Sequence, residues 1–596
     1  MSEPHHLRAD LCIIGGGMAG VCAAIAAARH GAKVVLVQDR PVLGGNASSE
    51  IKMHIVGADC HGGRPGARET GLIEEFRLDD AVRNAHRSYS QWDLLLYEKV
   101  IEEPNITLLL NATFTSCETE INAQGRTVIR SAYVVRPSTE ESFVIPAHFF
   151  ADCSGDGGLG VAAGAEFRIG REGRDEFGES LAIEKADSQT LGCSILFTAR
   201  RHDSPQRYIA PSWTRKFQKD EFKHRPIPNY EYGYWWAEWG GQLDTIHDGD
   251  AIRHELLRIA LGIWDYIKNS GDHPNAANWA LDWVGALPGK RESRRFLGPH
   301  VLTQDDVTSG RIFADQVAYG GWWLDLHPPS GVDAMDEEPC VQHEIPGLYS
   351  IPLRCLYSRN VANLFFAGRN ISATHVAFAS TRVMATCALM GQAVGTTAAM
   401  LSPETSEIAA VTPTQLGKIQ QALLKDDTFL PGLTGLDKTD YAHRATLRVS
   451  SEAPDAPAAY LRNGTTRRTD ATWGKWSHSA ANYWQSNALP AWLELEWPEA
   501  MPLREIHLTF CTGLERELTL TPSDKVTSKT IRGPQPETVR DYNLILDGKT
   551  VLEVRENHQR KRRHFLGKNA SAKTARIEIL ASNGLPAARV FEIRVY

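Results

Sequence analysis

Gly15, Gly17 and Gly20 fit the spacing G-x-G-x-x-G behind the apolar run Leu11-Cys12-Ile13-Ile14. Three glycines so spaced suit a pyrophosphate. The first permits a tight turn, the second lets backbone approach phosphate, and the third lets a helix pack on a strand. Met18 and Ala19 lie where the first amides of that helix would face the anion. Two histidines have neighbours that suit proton transfer near neutral pH: His327 between apolar residues and prolines, and His375 behind a Gly-Arg turn, with His54 third. The run Lys290-Arg291-Glu292-Ser293-Arg294-Arg295 puts four cations in six residues. Such a run is usually a solvated face. Its apolar flanks also allow burial, and a buried arginine needs an anionic partner: Glu292, a substrate or a cofactor oxygen.

Several elements must position these groups. The small-residue stretch Val21 to Arg29 predicts a helix, Gly31-Ala32 ends it, and Lys33 to Val37 predicts a second strand. That makes a βαβ unit. An acidic residue usually follows its second strand and binds ribose. Here Gln38-Asp39-Arg40 follows, and the Gln38 amide could still bond a ribose hydroxyl. Next, Gly44-Gly45-Asn46-Ala47-Ser48 suits a loop running close to a flat ligand. Ile51–Ile55 reads as a short strand, and 57–71 as loop. Helices are expected over 71–84 and 90–103, a strand over 105–110 and a β-meander over 112–150. The turn Asp152-Cys153-Ser154-Gly155-Asp156-Gly157 ends a strand, and Asp156 could accept bonds from the hydroxyls of a sugar chain.

Residues 229–240 are dense in aromatics beside Glu231 and Glu238. They suit either sugar rings or an aromatic core corner. A helix is expected over about 249–268. A third turn of the same type, Ala367-Gly368-Arg369-Asn370, leads through Arg382 into a small-residue helix over 385–399 with Gly391 and Ala393. Residues 402–440 read as a connector with one helix, Pro413 to Lys425. From about Ala445 short alternating strands dominate, which predicts a β-sandwich. The run Arg560-Lys561-Arg562-Arg563 reads as a solvated hairpin, with a nucleic-acid patch as the lesser option.

With 596 residues the chain is too long for one hydrophobic core. Its net charge of −8 gives no nucleic-acid bias, and no apolar run approaches a membrane span. Ten cysteines without a C-x-x-C pair suggest buried thiols, no metal site and a reducing cytoplasm.

Taken together, about residues 8–400 resemble the FAD-dependent oxidoreductase family of two-dinucleotide-binding-domain flavoproteins. The matching segments are Gly15 to Gly20, Gln38 to Ser48, Asp152 to Gly157, Arg291 to Arg295, Asp325-Leu326-His327, Ala367 to Ser372 and Gly391 to Ala393. The tail more loosely resembles a galactose-binding or discoidin-type sandwich. The resemblance implies an α/β fold: a Rossmann-like FAD-binding domain over 1–430 with an α+β substrate domain inserted at about 165–360. A linker over 431–444 and an all-β sandwich over 445–596 complete it. It implies FAD held by the glycine segments, Gln38, Asp39, Arg40, Asn46, Ser48, Asp156, Arg369 and Arg382. The expected reaction oxidises a hydroxyl carbon of a carbohydrate or polyol by hydride transfer to flavin N5. His327 or His375 would take the proton, Arg294 or Arg295 would orient the substrate, and Glu292 would hold that arginine. Two rival readings remain open: a flavin-dependent reductase of an activated alkene, and a carbohydrate-binding protein with a structural flavin. The expected partner is a small molecule, with a homo-oligomer left open.

Overall fold

The protein is described from a computed structural model covering residues 3–401, 407–468 and 481–596. Residues 402–406, which begin the expected connector, lie outside the described residues.

The glycine motif sits where the sequence pattern puts it. Strand β1 (Ala9–Ile14) runs into helix α1 (Met18–Arg29) and returns as β2 (Val34–Val37), parallel to β1. Every residue of α1 from Met18 to Ala28 is buried, because its alanines, glycine and cysteine let neighbouring elements close in on all sides. Helices α2 (Leu72–Arg83) and α3 (Tyr89–Ile101) follow. Strand β3 (Ile106–Leu109) then pairs parallel with β2. Strands β4 (Thr113–Ile121), β5 (Thr127–Arg136) and β6 (Glu141–Asp152) form the expected meander. Strand β6 changes partners along its length. Its first half pairs antiparallel with β5, and its second half pairs parallel with β1.

After β6 the chain leaves this sheet. Helix α4 (Gly249–Asn269) packs Ile252, Leu256, Ile259, Ile263 and Trp264 into a separate apolar cluster with Phe197, Tyr234 and Trp236. The chain rejoins the sheet as β7 (Leu364–Phe366), parallel on the far side of β6. Helix α5 (His375–Thr381) and the long α6 (Met384–Met400) come next. Helix α6 lies directly on α1. A Cβ on Gly391 would fall 2.0 Å from Ala19 O, and one on Gly395 would fall 2.1 Å from Ala23 O. Helix α7 (Pro413–Lys425) starts with Pro413 behind a Thr412–Gln415 capping box.

The parallel strands end level with one another. Ile14 pairs with Val37 and with Asp152, and Asp152 pairs with Phe366. The segments that follow β1, β2, β6 and β7 therefore emerge at one edge of the sheet, where doubly wound sheets hold their ligands.

The C-terminal part is a sandwich of a five-stranded and a four-stranded antiparallel sheet. The strand Ala491–Pro502 begins with strict alternation of buried and half-buried residues, placing Leu493, Leu495 and Trp497 in the core. The sandwich docks tightly on the first part. Leu520 joins the main hydrophobic core, and Leu518 packs on Leu78 and Ala81 of α2. The fully buried Arg68 pairs with Glu74 at 2.7 Å and donates to the carbonyls of Thr512 and Gly513.

Two expectations fail here. Ile51–Ile55 is not a strand: Lys52 has φ 62°, and the segment is irregular. The run at 560–563 is not a solvated hairpin. Arg560 is 1% exposed and binds Asp427, while Lys561 bonds Thr509 Oγ1 and Glu592. Docking between the two parts of the chain supplies Asp427 to Arg560, while Glu592 of the sandwich itself serves Lys561.

Candidate active site

The first glycine turn has the geometry of a phosphate cradle. Gly15 has φ +106°, and a Cβ there would lie 2.5 Å from the backbone of Cys153 and Ser154. A Cβ on Gly20 would meet Gly15 O at 1.8 Å. Around a Gly17 Cβ, by contrast, there is open space, and α1 starts at Gly17 with no side-chain cap. The first amides of α1 are thus left for a ligand. Met18 and Ala19 are buried in that first turn. The loop Gly44-Gly45 lies alongside: Gly44 donates to Gly16 O at 2.8 Å, and a Gly45 Cβ would meet only Gly17 Cα. An uncapped helix end beside glycine backbone fits the pyrophosphate of a dinucleotide. From the third turn, Gly368 (φ +118°) faces Ala19 across a gap of ordinary contact.

Other expected cofactor residues have different tasks. Both ends of the Gln38 amide are used internally: Oε1 accepts from Gly16 N at 2.7 Å, and Nε2 donates to Val42 O at 3.3 Å. Asp39 is exposed, and Arg40 pairs with Glu50. The Ser48 hydroxyl is buried and accepts from Glu50 N. Gly391 packs on α1, and Ala393 is fully buried within α6. Asn46 Nδ2 donates to Lys290 O at 3.0 Å, tying the glycine loop to the cationic run. Asp156 is held by Lys290 Nζ at 2.7 Å, Arg369 Nη2 at 2.7 Å and Ser293 Oγ at 2.9 Å, rather than standing free for a sugar chain. Burial raises its pKa, but Arg369 and Lys290 outweigh this and hold it below the usual carboxylate range.

The segment 290–295 is the hub of the site. Arg291 donates to Ser194 Oγ at 2.9 Å and Trp235 O at 2.7 Å, and lies 3.5 Å from Glu238. Glu292 is completely buried and accepts from Leu191 N at 2.9 Å. Arg294 donates to Asp156 O at 3.0 Å and lies over the Phe167 ring. Arg295 is 1% exposed and bonds Glu172, Ala373 O and Gly170 O, with Glu292 at 3.1 Å. Both Nη atoms of Arg295 are therefore engaged by protein groups.

The two histidines differ in what remains free. His327 has both ring nitrogens engaged. Nδ1 is 2.6 Å from Glu238, and Nε2 is 3.1 Å from both Asp325 and Arg382 Nη2. Both nitrogens are thus occupied by protein groups. Arg382, expected at the cofactor, instead pairs with Asp325 at 3.0 Å. Asp325, His327 and Cys340 have the grouping of metal ligands, but the Arg382 guanidinium already supplies positive charge between the first two. His375 is different. Its Nδ1 meets Glu292 at 3.1 Å, and among the described residues no partner engages Nε2. A carboxylate only accepts, so Nδ1 carries the hydrogen, and in the neutral ring Nε2 presents its lone pair. Burial pushes the Glu292 carboxyl up, yet His375 and Arg295 outweigh it and hold it below the ordinary range. His375 also opens α5, where its own amide donates to Glu172 at 2.8 Å. His54 packs against Tyr232, and burial lowers its pKa to about 4. Of the partners, Glu172 was not singled out by sequence; Glu238 was marked only by its aromatic run and Lys290 only as part of the cationic run.

No curated protein matches the chain. Similar solved structures include a family 32 carbohydrate-binding module from C. perfringens NanJ with galactose. It is 17% identical, covers 26% of this chain and 94% of that one, and has a TM-score of 0.18. Another is a family 32 module from Streptococcus pneumoniae EndoD, 18% identical over 26% and 94% of the two chains, with a TM-score of 0.19. The description FAD dependent oxidoreductase matches residues 10–423, which contain the cradle, the hub and both histidines. The chain belongs to the FAD dependent oxidoreductase family, and its cofactor is FAD.

Proposed function

We propose that the enzyme oxidises a hydroxyl-bearing carbon of a carbohydrate or polyol, with His375 as the general base. The observation that carries this reading is the His375–Glu292 pair. A buried carboxylate fixes Nδ1 and leaves Nε2 able to accept a proton. FAD, when bound, supplies the hydride acceptor. The substrate carbon loses a hydride, and its hydroxyl proton passes to His375 Nε2. Arg295 and Glu172 hold the Glu292–His375 pair in place from behind. The division of labour follows the sequence: a Rossmann-like cofactor domain, with residues of about 165–360 shaping the substrate side. The alkene-reductase reading needs Arg294 or Arg295 as donor or carboxylate clamp; both Nη atoms of Arg295 are taken by protein groups, and Arg294 Nη1 donates to Asp156 O. Ten unpaired thiols support a reducing compartment.

The test is direct. Holoenzyme under nitrogen is mixed with a panel of neutral sugars and polyols, and its yellow absorbance is followed. Bleaching by a member of the panel supports the reading. Bleaching by none, with reoxidation of photoreduced enzyme by enoates, overturns it.

A further inference from the structure

Within the aromatic run, three neighbouring rings have two fates. Tyr234 and Trp236 are buried and stacked on each other, with centroids 4.8 Å apart and planes 4° apart. Each has its polar end satisfied: Tyr234 OH donates to Asn229 O and Trp236 Nε1 to Pro226 O. These two are core. Trp235 lies between them in sequence but is 39% exposed. Its backbone is pinned, because Trp235 O accepts from both Ser194 Oγ at 2.8 Å and Arg291 Nη2 at 2.7 Å. Its ring meets the buried His327 ring edge-on at 5.6 Å. A large apolar ring left in solvent, on backbone fixed by the hub itself, is poised for a ligand rather than for the core.

Beneath Trp235 lies the His327 cluster, and two of its buried polar atoms lack a hydrogen-bond partner: Glu238 Oε1 and Arg382 Nε. The Glu238 side chain is only 2% exposed. Both atoms are shut off from solvent, so the cluster is a polar floor beneath the indole. Charge narrows the choice. Two guanidiniums, Arg291 and Arg382, face two carboxylates, Glu238 and Asp325. With the His327 ring neutral the cluster's charges balance, so the floor beneath the indole lacks the surplus cation that a carboxylate ligand needs.

We propose that Trp235 and the Glu238–His327–Arg382 cluster form the recognition subsite for an uncharged pyranose. The sugar stacks a C–H face on the indole, above this charge-balanced floor. This deepens the oxidation reading and rests on it for the substrate class.

The test measures binding separately from turnover. Oxidised holoenzyme is titrated calorimetrically with methyl β-galactopyranoside, methyl α-glucopyranoside and methyl β-xylopyranoside, and with glucuronate and galacturonate. The same titrations are run on Trp235→Ala and Trp235→Phe, each confirmed to hold FAD. The expected result is that at least one neutral pyranoside binds the parent protein more tightly than either uronate. Its Kd rises about tenfold or more in Trp235→Ala, a loss of about 1.4 kcal/mol, and by only a few-fold in Trp235→Phe. No neutral pyranoside binding, uronates binding tighter, or equal affinity in Trp235→Ala overturns the subsite. Binding that depends on Trp235 but never bleaches the flavin keeps the subsite and removes the oxidation reading.

Discussion

Gln38 Oε1 accepts the backbone N–H of Gly16 at 2.7 Å, so the side chain expected at the ribose instead clamps the glycine turn. Its Nε2 reaches Val42 O, which ties the start of the Gly44-Gly45 loop to the same turn. Gln38→Ala leaves the Gly16 amide unpaired in a buried setting, at a cost of about 1–3 kcal/mol. Urea denaturation of apo and FAD-loaded protein checks this. The expected outcome is lower stability in both forms and weaker FAD retention. Gln38→Glu keeps the acceptor and should retain FAD better than the alanine variant.

Helix α6 depends on glycine where it crosses α1. Gly391→Ala drives a methyl group into Ala19 O, and overpacking of this kind costs about 1–3 kcal/mol. The shift is transmitted to the first turn of α1, so FAD affinity should fall together with melting temperature. Gly417→Ala in α7 is the control. Nothing lies within 4 Å of its would-be Cβ, and this change should stabilise by up to about 1 kcal/mol.

The sandwich should prove inseparable from the catalytic part. Arg68→Met strands the buried Glu74 carboxylate, at a cost of about 3–5 kcal/mol. The double change Arg68→Met, Glu74→Leu should recover much of that loss in chemical denaturation. A chain ending at residue 444 exposes α2 where Leu518 packs and removes Leu520 from the main core. It should be recovered aggregated or without FAD.

How much of this was legible in sequence follows from what is local and what is not. Glycine spacing and apolar runs marked the βαβ unit, because each part of that signal lies within thirty residues. The expected bounds of α7, Pro413 and Lys425, are its bounds in the structure. The sandwich strands showed through their period of two. The tasks of Gln38, Arg295 and Arg560 were not legible, since their partners come from distant segments. Arg560 meets Asp427 across 133 residues, and Arg295 meets Glu172 across 123. Charge density suggested solvent at 560–563, and tertiary partners reverse that, Asp427 by docking and Glu592 within the sandwich. The contrast between His327 and His375 is likewise tertiary, set by Glu238 and Arg382 on one ring and by Glu292 on the other.

Acid should weaken the sandwich before its carboxylates titrate. His564 is 6% exposed, bonds Tyr542 OH at 2.8 Å, and has its pKa lowered to about 4 by burial and then by Arg562. Its folded value lies below its unfolded one. The stability it contributes is complete above pH ~6.5 and is lost as pH falls towards ~4, by up to about 3 kcal/mol. Urea midpoints between these limits should therefore fall with pH. His564→Gln should flatten that part of the profile.

The most direct test of the account is the anaerobic half-reaction of His375→Ala beside the parent enzyme, both loaded with FAD. The account predicts that a sugar which bleaches the parent bleaches the variant about 100-fold or more slowly, with the yellow cofactor still bound. Bleaching of His375→Ala at the parental rate would contradict it.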